Sequence, residues 1–144
     1  MRALLDVNVL VVALLDAAHV FHAQASDWLR REAAQGWASC PLTQNGCIRI
    51  MSQPSYPGAL PAAEVAARLA DAARDPSHRF WPDDISLLDE GVVDWTKVLD
   101  HRQVTDSYLL ALAVRHGGRF ATFDARISGR AVGGAKGEHP VAVG

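Results

Sequence analysis

The sequence predicts an α/β domain whose mostly parallel central sheet is flanked by helices on both faces, an α/β/α sandwich. Short apolar segments alternate along the chain with longer segments of helical periodicity, which is typical of such sheets. The 144 residues suffice for one domain with its own core, so residues 1–144 are expected to form a single unit. A hydrophobic content of 49% and a charged content of 21% fit a folded globular protein.

Two strands and four helices are predicted before Pro76. The helical segments have apolar residues at helical spacing, and Gly36 ends the second of them. Pro61 lies where a first helical turn accepts proline. In chain order the segments are strand "RALLD", helices "VNVLVVALLDA" and "HAQASDWLRREAAQG", strand "WASC", and helices "PLTQNGCIRIMSQP" and "PAAEVAARLADAARDP".

Three strands and two helices are predicted after Pro76. The clearest is the helix "TDSYLLALAVRHGG", with Thr105 as its N-cap and Gly117 and Gly118 at its end. The Gly-rich "GRAVGGAKGEHP" is predicted to be a loop. The remaining segments are strand "HRFWPDD", helix "SLLDEGVVDWTKVL", and strands "RFATFD" and "PVAVG".

Charge and hydropathy exclude several classes of protein. A formal net charge of −2 gives no overall basic signature, so nucleic-acid contact would need a local patch. The apolar run at the N-terminus is interrupted by Asp6 and has no convincing cleavage site after it, which argues against a signal peptide, and it is too short for a membrane span. Cys40 and Cys47 lack the spacing of a thiolate metal site. We therefore expect a cytoplasmic protein with no membrane partner.

Three aspartates lie at the ends of predicted elements. Asp6 ends the first strand, Asp124 ends "RFATFD", and Asp106 begins the helix "TDSYLLALA". If the two strands are neighbours, the carboxylates converge where the functional crevice of such sheets lies. Clustered carboxylates repel by about 4 kcal/mol per pair at ~4 Å, and Mg²⁺ or Mn²⁺ would relieve that repulsion. Each aspartate taken singly is also consistent with a helix cap or a turn.

The motifs "LLDVNVLVVALL", "TDSYLLALA" and "FATFDARI" together resemble a PIN domain, and specifically a VapC-type toxin of bacterial toxin–antitoxin pairs. "CPLTQNGCIRIMS" and "HRQVTDSYLLALA" resemble one actinobacterial branch of that family. The resemblance runs from Leu4 to Phe123 and a little beyond. It implies a Mg²⁺- or Mn²⁺-dependent endoribonuclease that acts as a toxin and cleaves cellular RNA by attack of a metal-activated water.

The same resemblance assigns roles to individual residues. Asp6, Asp106 and Asp124 match three metal-binding positions, and are therefore the expected metal ligands and catalytic residues. Asn8 is expected to support Asp6 or a metal-bound water, and Thr122 to hydrogen-bond a carboxylate. Both side chains could instead bond the local backbone.

One position departs from the family pattern. Many members carry a glutamate in the helix after the second strand, where this sequence has Gln44. An amide oxygen brings no charge, so the resemblance implies weaker metal binding and one stable ion instead of two.

The resemblance also implies partners: an RNA substrate, a VapB-like antitoxin that wraps helices of the toxin, and a second copy in a homodimer. The segments "FHAQASDWL" and "AAEVAARLA" are candidate antitoxin surfaces, although an amphipathic helix more often faces its own core. Four arginines near the aspartates in sequence could hold an RNA backbone, the equal alternative being scattered surface charge. One of four tryptophans could stack on a base, although core packing is the better explanation for most of them. The candidates are Arg115, Arg119, Arg126 and Arg130, and Trp28, Trp37, Trp81 and Trp95.

Two other functions stay open. "LLDVNV" superficially resembles the opening motif of haloacid-dehalogenase-type phosphatases, in which Asp6 would be the nucleophile, but Asn8 stands where the second aspartate belongs. Without the family glutamate, the chain could also be an RNA- or antitoxin-binding domain of weak or absent activity. Metal titration and an RNA cleavage assay would separate these functions.

Overall fold

A computed structural model describes residues 1–124 and 126–144. Within them, five short strands form one sheet of order β3-β2-β1-β4-β5, and every pairing is parallel. The strands are β1 (Ala3–Leu5), β2 (Trp37–Ser39), β3 (His78–Phe80), β4 (Arg119–Thr122) and β5 (Pro140–Ala142). All five predicted strands are confirmed. The chain passes from β1 outward to β3 and then returns to β4, so the strand order reverses between β1 and β4.

Helices cover both faces of the sheet, which confirms the predicted α/β/α architecture. They are α1 (Val7–Leu10), which continues as a π-helical turn (Val11–Leu15), α2 (His22–Arg31), α3 (Pro41–Met51), α4 (Ala62–Ala72) and α5 (Gln103–Arg115). Alternation along β1 divides the core, since successive side chains of a strand point to opposite faces. Ala3 and Leu5 pack with α1, α2 and α4, whereas Leu4 packs with α5.

The helix predicted over "SLLDEGVVDWTKVL" is wrong. This segment forms turns and one short 3₁₀ helix, Trp95–Lys97. Val93 pairs with Val132 in an antiparallel bridge, and the Asp94 N–H donates to the Ala131 carbonyl at 2.7 Å. These contacts with a segment nearly forty residues later divert the backbone from a helical path.

The start predicted for α5 is also wrong, although its end is confirmed. The helix begins at Gln103, after Arg102, because the Asp100 carboxylate accepts the Arg102 N–H at 2.8 Å and starts the turn early. Thr105 is an exposed residue of the first turn and not the N-cap. Gly117 follows the last turn with φ of +67°, a conformation that favours glycine.

The structure also bears on hydropathy and on the two cysteines. In the described ranges no helix is both long and apolar enough to cross a membrane. Cys40 and Cys47 are free thiols buried in the core.

Candidate active site at the carboxyl ends of β1 and β4

Asp6 follows β1 and connects it to α1. One carboxylate oxygen, Oδ1, accepts the N–H of Val7 at 2.8 Å and so caps α1, and Oδ2 accepts the hydroxyl of Thr122 at 2.9 Å. Burial raises the pKa of Asp6 in spite of these two hydrogen bonds. The carboxylate inside the apolar N-terminal run is therefore fixed in orientation but poorly solvated, which makes its charge costly.

Asp106 lies in the first turn of α5 and is partly buried. Burial, followed by the negative charges of Asp6 and Asp124, raises its pKa to about 6. Asp106 lines the same cleft as Asp124, and Thr122 hydrogen-bonds to both Asp124 and Asp6. The fold thus places the three aspartates in the same region, at the carboxyl ends of β1 and β4 and the start of α5.

Asp124 follows β4 and is tied to Asp6 through Thr122, whose hydroxyl oxygen accepts the Asp124 N–H at 3.2 Å. Its carboxylate faces a cation: Arg126 Nε lies 3.0 Å from Oδ1, and Nη2 lies 3.4 Å from Oδ2. The hydrogen bonds from Arg126 lower the pKa of Asp124. Asp124 therefore has a cationic partner, whereas Asp6 and Asp106 have no ion pair among the described residues.

A cleft of about 510 Å³ opens beside the aspartates. Asp106 and Asp124 line it, whereas Asp6 is not part of its wall. Along its described walls the cationic side chains are Lys97, Arg102, Arg126 and Arg130. Arg102 pairs with Asp100, through Nε at 3.1 Å and Nη2 at 2.7 Å from separate carboxylate oxygens. Acidic and basic groups thus share one concave surface.

The donor set suits a hard divalent cation in chemistry, since all three side chains offer carboxylate oxygens. Two of them carry raised pKa values, which a bound cation would relieve. As they stand, no three His, Cys, Asp or Glu side chains of residues 1–124 and 126–144 form a ready-made metal cluster. Arg126 and a metal ion would compete for the Asp124 carboxylate.

Comparison with known proteins places this site in a family. Residues 3–132 match the PIN domain. The chain is 50% identical over 139 residues to ribonuclease VapC44 of Mycobacterium tuberculosis, covering 96% of this chain and 97% of that one. It is 44% identical over 135 residues to ribonuclease VapC39 of the same organism, covering 93% and 96%. The chain belongs to the PIN-domain family. Its relatives place it among the VapC-type members, as the sequence motifs predicted.

Two solved structures share the fold of this PIN domain. One is VapC20 of Mycobacterium tuberculosis, a toxin that cleaves the sarcin–ricin loop, with a TM-score of 0.61, 14% identity and coverage of 94% of this chain and 99% of that one. The other is VapBC2 from Rickettsia felis bound to a promoter DNA fragment, with a TM-score of 0.59, 13% identity and coverage of 86% and 89%. At these identities the likeness is one of fold alone.

Gln44 of this PIN domain lies on α3, and its side chain is directed toward β2. Its Nε2 donates to the Ser39 hydroxyl at 3.0 Å, and that hydroxyl lies 2.8 Å from Nε2 of His78. The residue is partly buried near the end of β2, one strand away from Asp6. Position 44 is therefore held by the fold and supplies no negative charge.

We expect Gln44→Glu to tighten Mg²⁺ binding by roughly three- to tenfold, since it adds a carboxylate to a site of carboxylates. Isothermal titration calorimetry with Mg²⁺ measures the change. Asn45→Asp is the matched control, because it adds the same charge at an exposed neighbouring position. Equal affinities in Gln44→Glu and wild type, or an equal gain in both variants, would place position 44 outside the site.

Thr122 and Asn8, the two residues expected to support the aspartates, differ in what they contact. Thr122 makes the carboxylate hydrogen bond that was expected of it. Asn8 is exposed on α1 and borders a second cavity; within the described chain, no hydrogen bond joins its side chain to Asp6. A supporting role for Asn8 would have to be exercised through water.

The basic residues divide into two groups. Arg126 and Arg130 line the cleft, as does Lys97, which lies in the segment wrongly predicted to be helical. Arg119 is at the opposite end of β4, where Nη2 is 3.1 Å from Glu32, and Arg115 ends α5 far from Asp106. The expectation that Arg115 and Arg119 lie near the aspartates is therefore wrong, because position along the chain does not say which end of an element a residue occupies.

Proposed function

We propose that this protein is a divalent-metal-dependent endoribonuclease and the toxin of a toxin–antitoxin pair. One observation carries the proposal: Thr122 hydrogen-bonds to both Asp6 and Asp124, and Asp124 and Asp106 line a cleft that contains four cationic side chains. Such a surface combines sites for a metal ion and for a polyanion. The names of the relatives, ribonucleases VapC44 and VapC39, support RNA as the polyanion.

Each group of residues has a distinct task in the proposed reaction. A Mg²⁺ or Mn²⁺ ion held by Asp6, Asp106 and Asp124 would supply an activated water and offset charge on the phosphate. Thr122 and the Val7 N–H hold the Asp6 carboxylate in one orientation before substrate arrives. The cationic side chains of the cleft hold the phosphates on either side of the scissile bond, which is mainly what phosphodiester cleavage requires of a protein.

The phosphatase alternative is disfavoured by the family match, since residues 3–132 match the PIN domain. Asn8 also stands where the phosphatase motif has its second aspartate.

An antitoxin and a second copy of the chain are the proposed protein partners. The complex named VapBC2 among the structural relatives supports an antitoxin. Of the two candidate surfaces, α4 buries its apolar residues Val65 and Leu69 in the core, whereas Phe21 before α2 is 52% exposed at the rim of the second cavity. The "FHAQASDWL" surface is therefore the better antitoxin contact.

A cleavage assay on the purified chain tests the enzymatic proposal. Structured and single-stranded RNA are incubated with Mg²⁺, with Mn²⁺ and with EDTA, and the ends of the products are sequenced. We expect cleavage with either metal and none with EDTA. Asp6→Asn, which can still cap α1, is the inactive control. Cleavage that persists in Asp6→Asn or in EDTA contradicts the proposal, and binding of RNA without cleavage favours the non-catalytic alternative.

Arg126 competes with a metal ion for Asp124, so Arg126→Ala is expected to tighten Mg²⁺ binding by roughly two- to fivefold, the range of an exposed ion pair. Calorimetric titration at low salt measures it, and the gain should shrink as salt screens the pair. Arg130→Ala is the control, since Arg130 lines the same cleft and has no ion pair among the residues described. Equal Mg²⁺ affinities in Arg126→Ala and Arg130→Ala would mean that Arg126 does not compete with the metal ion for Asp124.

A further inference from the structure

Trp95 differs from the other tryptophans in its exposure. Trp28, Trp37 and Trp81 are 5%, 2% and 8% exposed and belong to the two hydrophobic clusters of the core, whereas Trp95 is 44% exposed. An indole ring buries a large apolar area when it packs, so the fold gains little from this one. Its placement calls for an explanation other than core packing.

The backbone beneath Trp95 is firmly held. Trp95 begins the 3₁₀ helix, and the carboxylate of Asp94 caps it by accepting the Thr96 N–H at 3.1 Å and the Thr96 hydroxyl at 2.6 Å. The Asp94 N–H in turn donates to Ala131 at 2.7 Å. The ring is therefore presented from a fixed position on the surface.

Trp95 directly precedes two residues of the cleft wall. Thr96 and Lys97 line the cleft together with Asp106 and Asp124, and Trp95 adjoins them along the backbone without being part of the described lining. The cations of the cleft would follow a phosphate backbone, and an aromatic face beside such a groove is what binds unpaired bases. Stacking depends little on base identity, because every base has a π-face.

We propose that Trp95 is the stacking platform for one unpaired RNA base adjacent to the scissile phosphate, so that it positions single-stranded substrate in the cleft. This inference rests on the proposed ribonuclease function. An interface with another protein chain is the competing use of an exposed tryptophan. The described lining of the adjoining cleft has four cationic side chains against three carboxylates, and this net positive charge favours a polyanion as the occupant.

Binding of a ten-nucleotide single-stranded RNA tests the inference. Fluorescence anisotropy is measured in Mg²⁺ with Asp6→Asn as the background, so that the RNA stays intact. We expect Trp95→Ala to weaken binding roughly tenfold and Trp95→Phe, which keeps an aromatic face, to stay within roughly threefold of the background. Leu99→Ala is the matched control, because Leu99 lines the cleft, is 85% exposed and cannot stack. An oligonucleotide of abasic nucleotides should bind equally to the background protein and to its Trp95→Ala variant.

Cleavage kinetics separate this inference from the proposed function. In the otherwise wild-type chain, Trp95→Ala should raise KM with little change in kcat, since the platform binds substrate and does not touch the reacting atoms. Unchanged RNA affinity in Trp95→Ala, with cleavage intact, overturns the stacking role alone. Trp95→Ala that alters the oligomeric state in sedimentation but not RNA affinity assigns the ring to a protein interface. A wild-type chain that neither binds nor cleaves RNA overturns both proposals.

Discussion

Replacing Asp106 with asparagine is expected to lower RNA cleavage by about a hundredfold or more and, at the same time, to stabilise the metal-free protein. The loss of activity follows from removing one of the three proposed metal ligands, since metal assistance is worth several kcal/mol of barrier and about 2.7 kcal/mol corresponds to a hundredfold. The gain in stability follows from removing a partly buried charge that lies near Asp6 and Asp124.

The stability effect depends on pH with a definite sign. The pKa of Asp106 is raised from 3.8 to about 6 in the folded protein, so the folded state binds the proton more tightly than the unfolded state. Its stabilising contribution is fully present below pH 3.8 and is lost as the pH rises through about 6. Above that pH the wild type carries a destabilising charge that Asp106→Asn lacks. Allowing for partial solvation of the carboxylate, the difference is about 1–2 kcal/mol.

Urea unfolding in EDTA at pH 8 and at pH 4.5 measures this difference. Asp106→Asn should be the more stable protein at pH 8, and its advantage should shrink toward pH 4.5. Thr105→Ala serves as the control, since Thr105 is the exposed neighbour on the same helical turn and should change neither cleavage nor the pH profile. A variant that is less stable than wild type at pH 8 would mean that Asp106 has a stabilising partner.

The convergence of the aspartates was predictable because a parallel sheet determines it. Once two buried strands are known to be neighbours, the residues that follow them lie at the same edge, as Asp6 and Asp124 do. The surroundings of the aspartates were not predictable. The pairing of Asp124 with Arg126 depends on local turn geometry, and the diverted segment that carries Trp95 and Lys97 depends on the distant bridge between Val93 and Val132. Helical periodicity says nothing about either contact.

The site therefore combines a rigid part with an electrostatically strained one. Thr122 and the cap of α1 fix Asp6, whereas Asp106 has a charge that the metal-free fold accommodates poorly. Strain of this kind is common at functional sites, where stability is given up for binding. A structural aspartate at the start of α5 would be expected to have a partner that lowers its pKa, and for Asp106 the causes all act in the opposite direction.

Gly46 of α3 lies against Val7 at the start of α1, next to Asp6. We expect Gly46→Ala to lower the free energy of unfolding by about 1–2 kcal/mol. A Cβ at this buried position of α3 would lie 2.8 Å from Cγ2 and 3.3 Å from Cγ1 of Val7. Overpacking of this kind costs about 1–3 kcal/mol, and the higher helix propensity of alanine returns up to about 1 kcal/mol. Since the Val7 N–H is a hydrogen-bond donor to Asp6, the displaced valine should also weaken Mg²⁺ binding.

A double-mutant cycle identifies Val7 as the cause. Val7→Ala removes both atoms that the new methyl group would meet, so Gly46→Ala should cost less in that background, with a coupling of about 1 kcal/mol or more. Urea unfolding gives the four free energies, and calorimetry gives the Mg²⁺ affinities. Asn45→Ala controls for helix propensity, because Asn45 is exposed on the same helix. If Gly46→Ala proved as stable as wild type, α3 could move away from α1 without loss, and the close approach would have no bearing on Asp6.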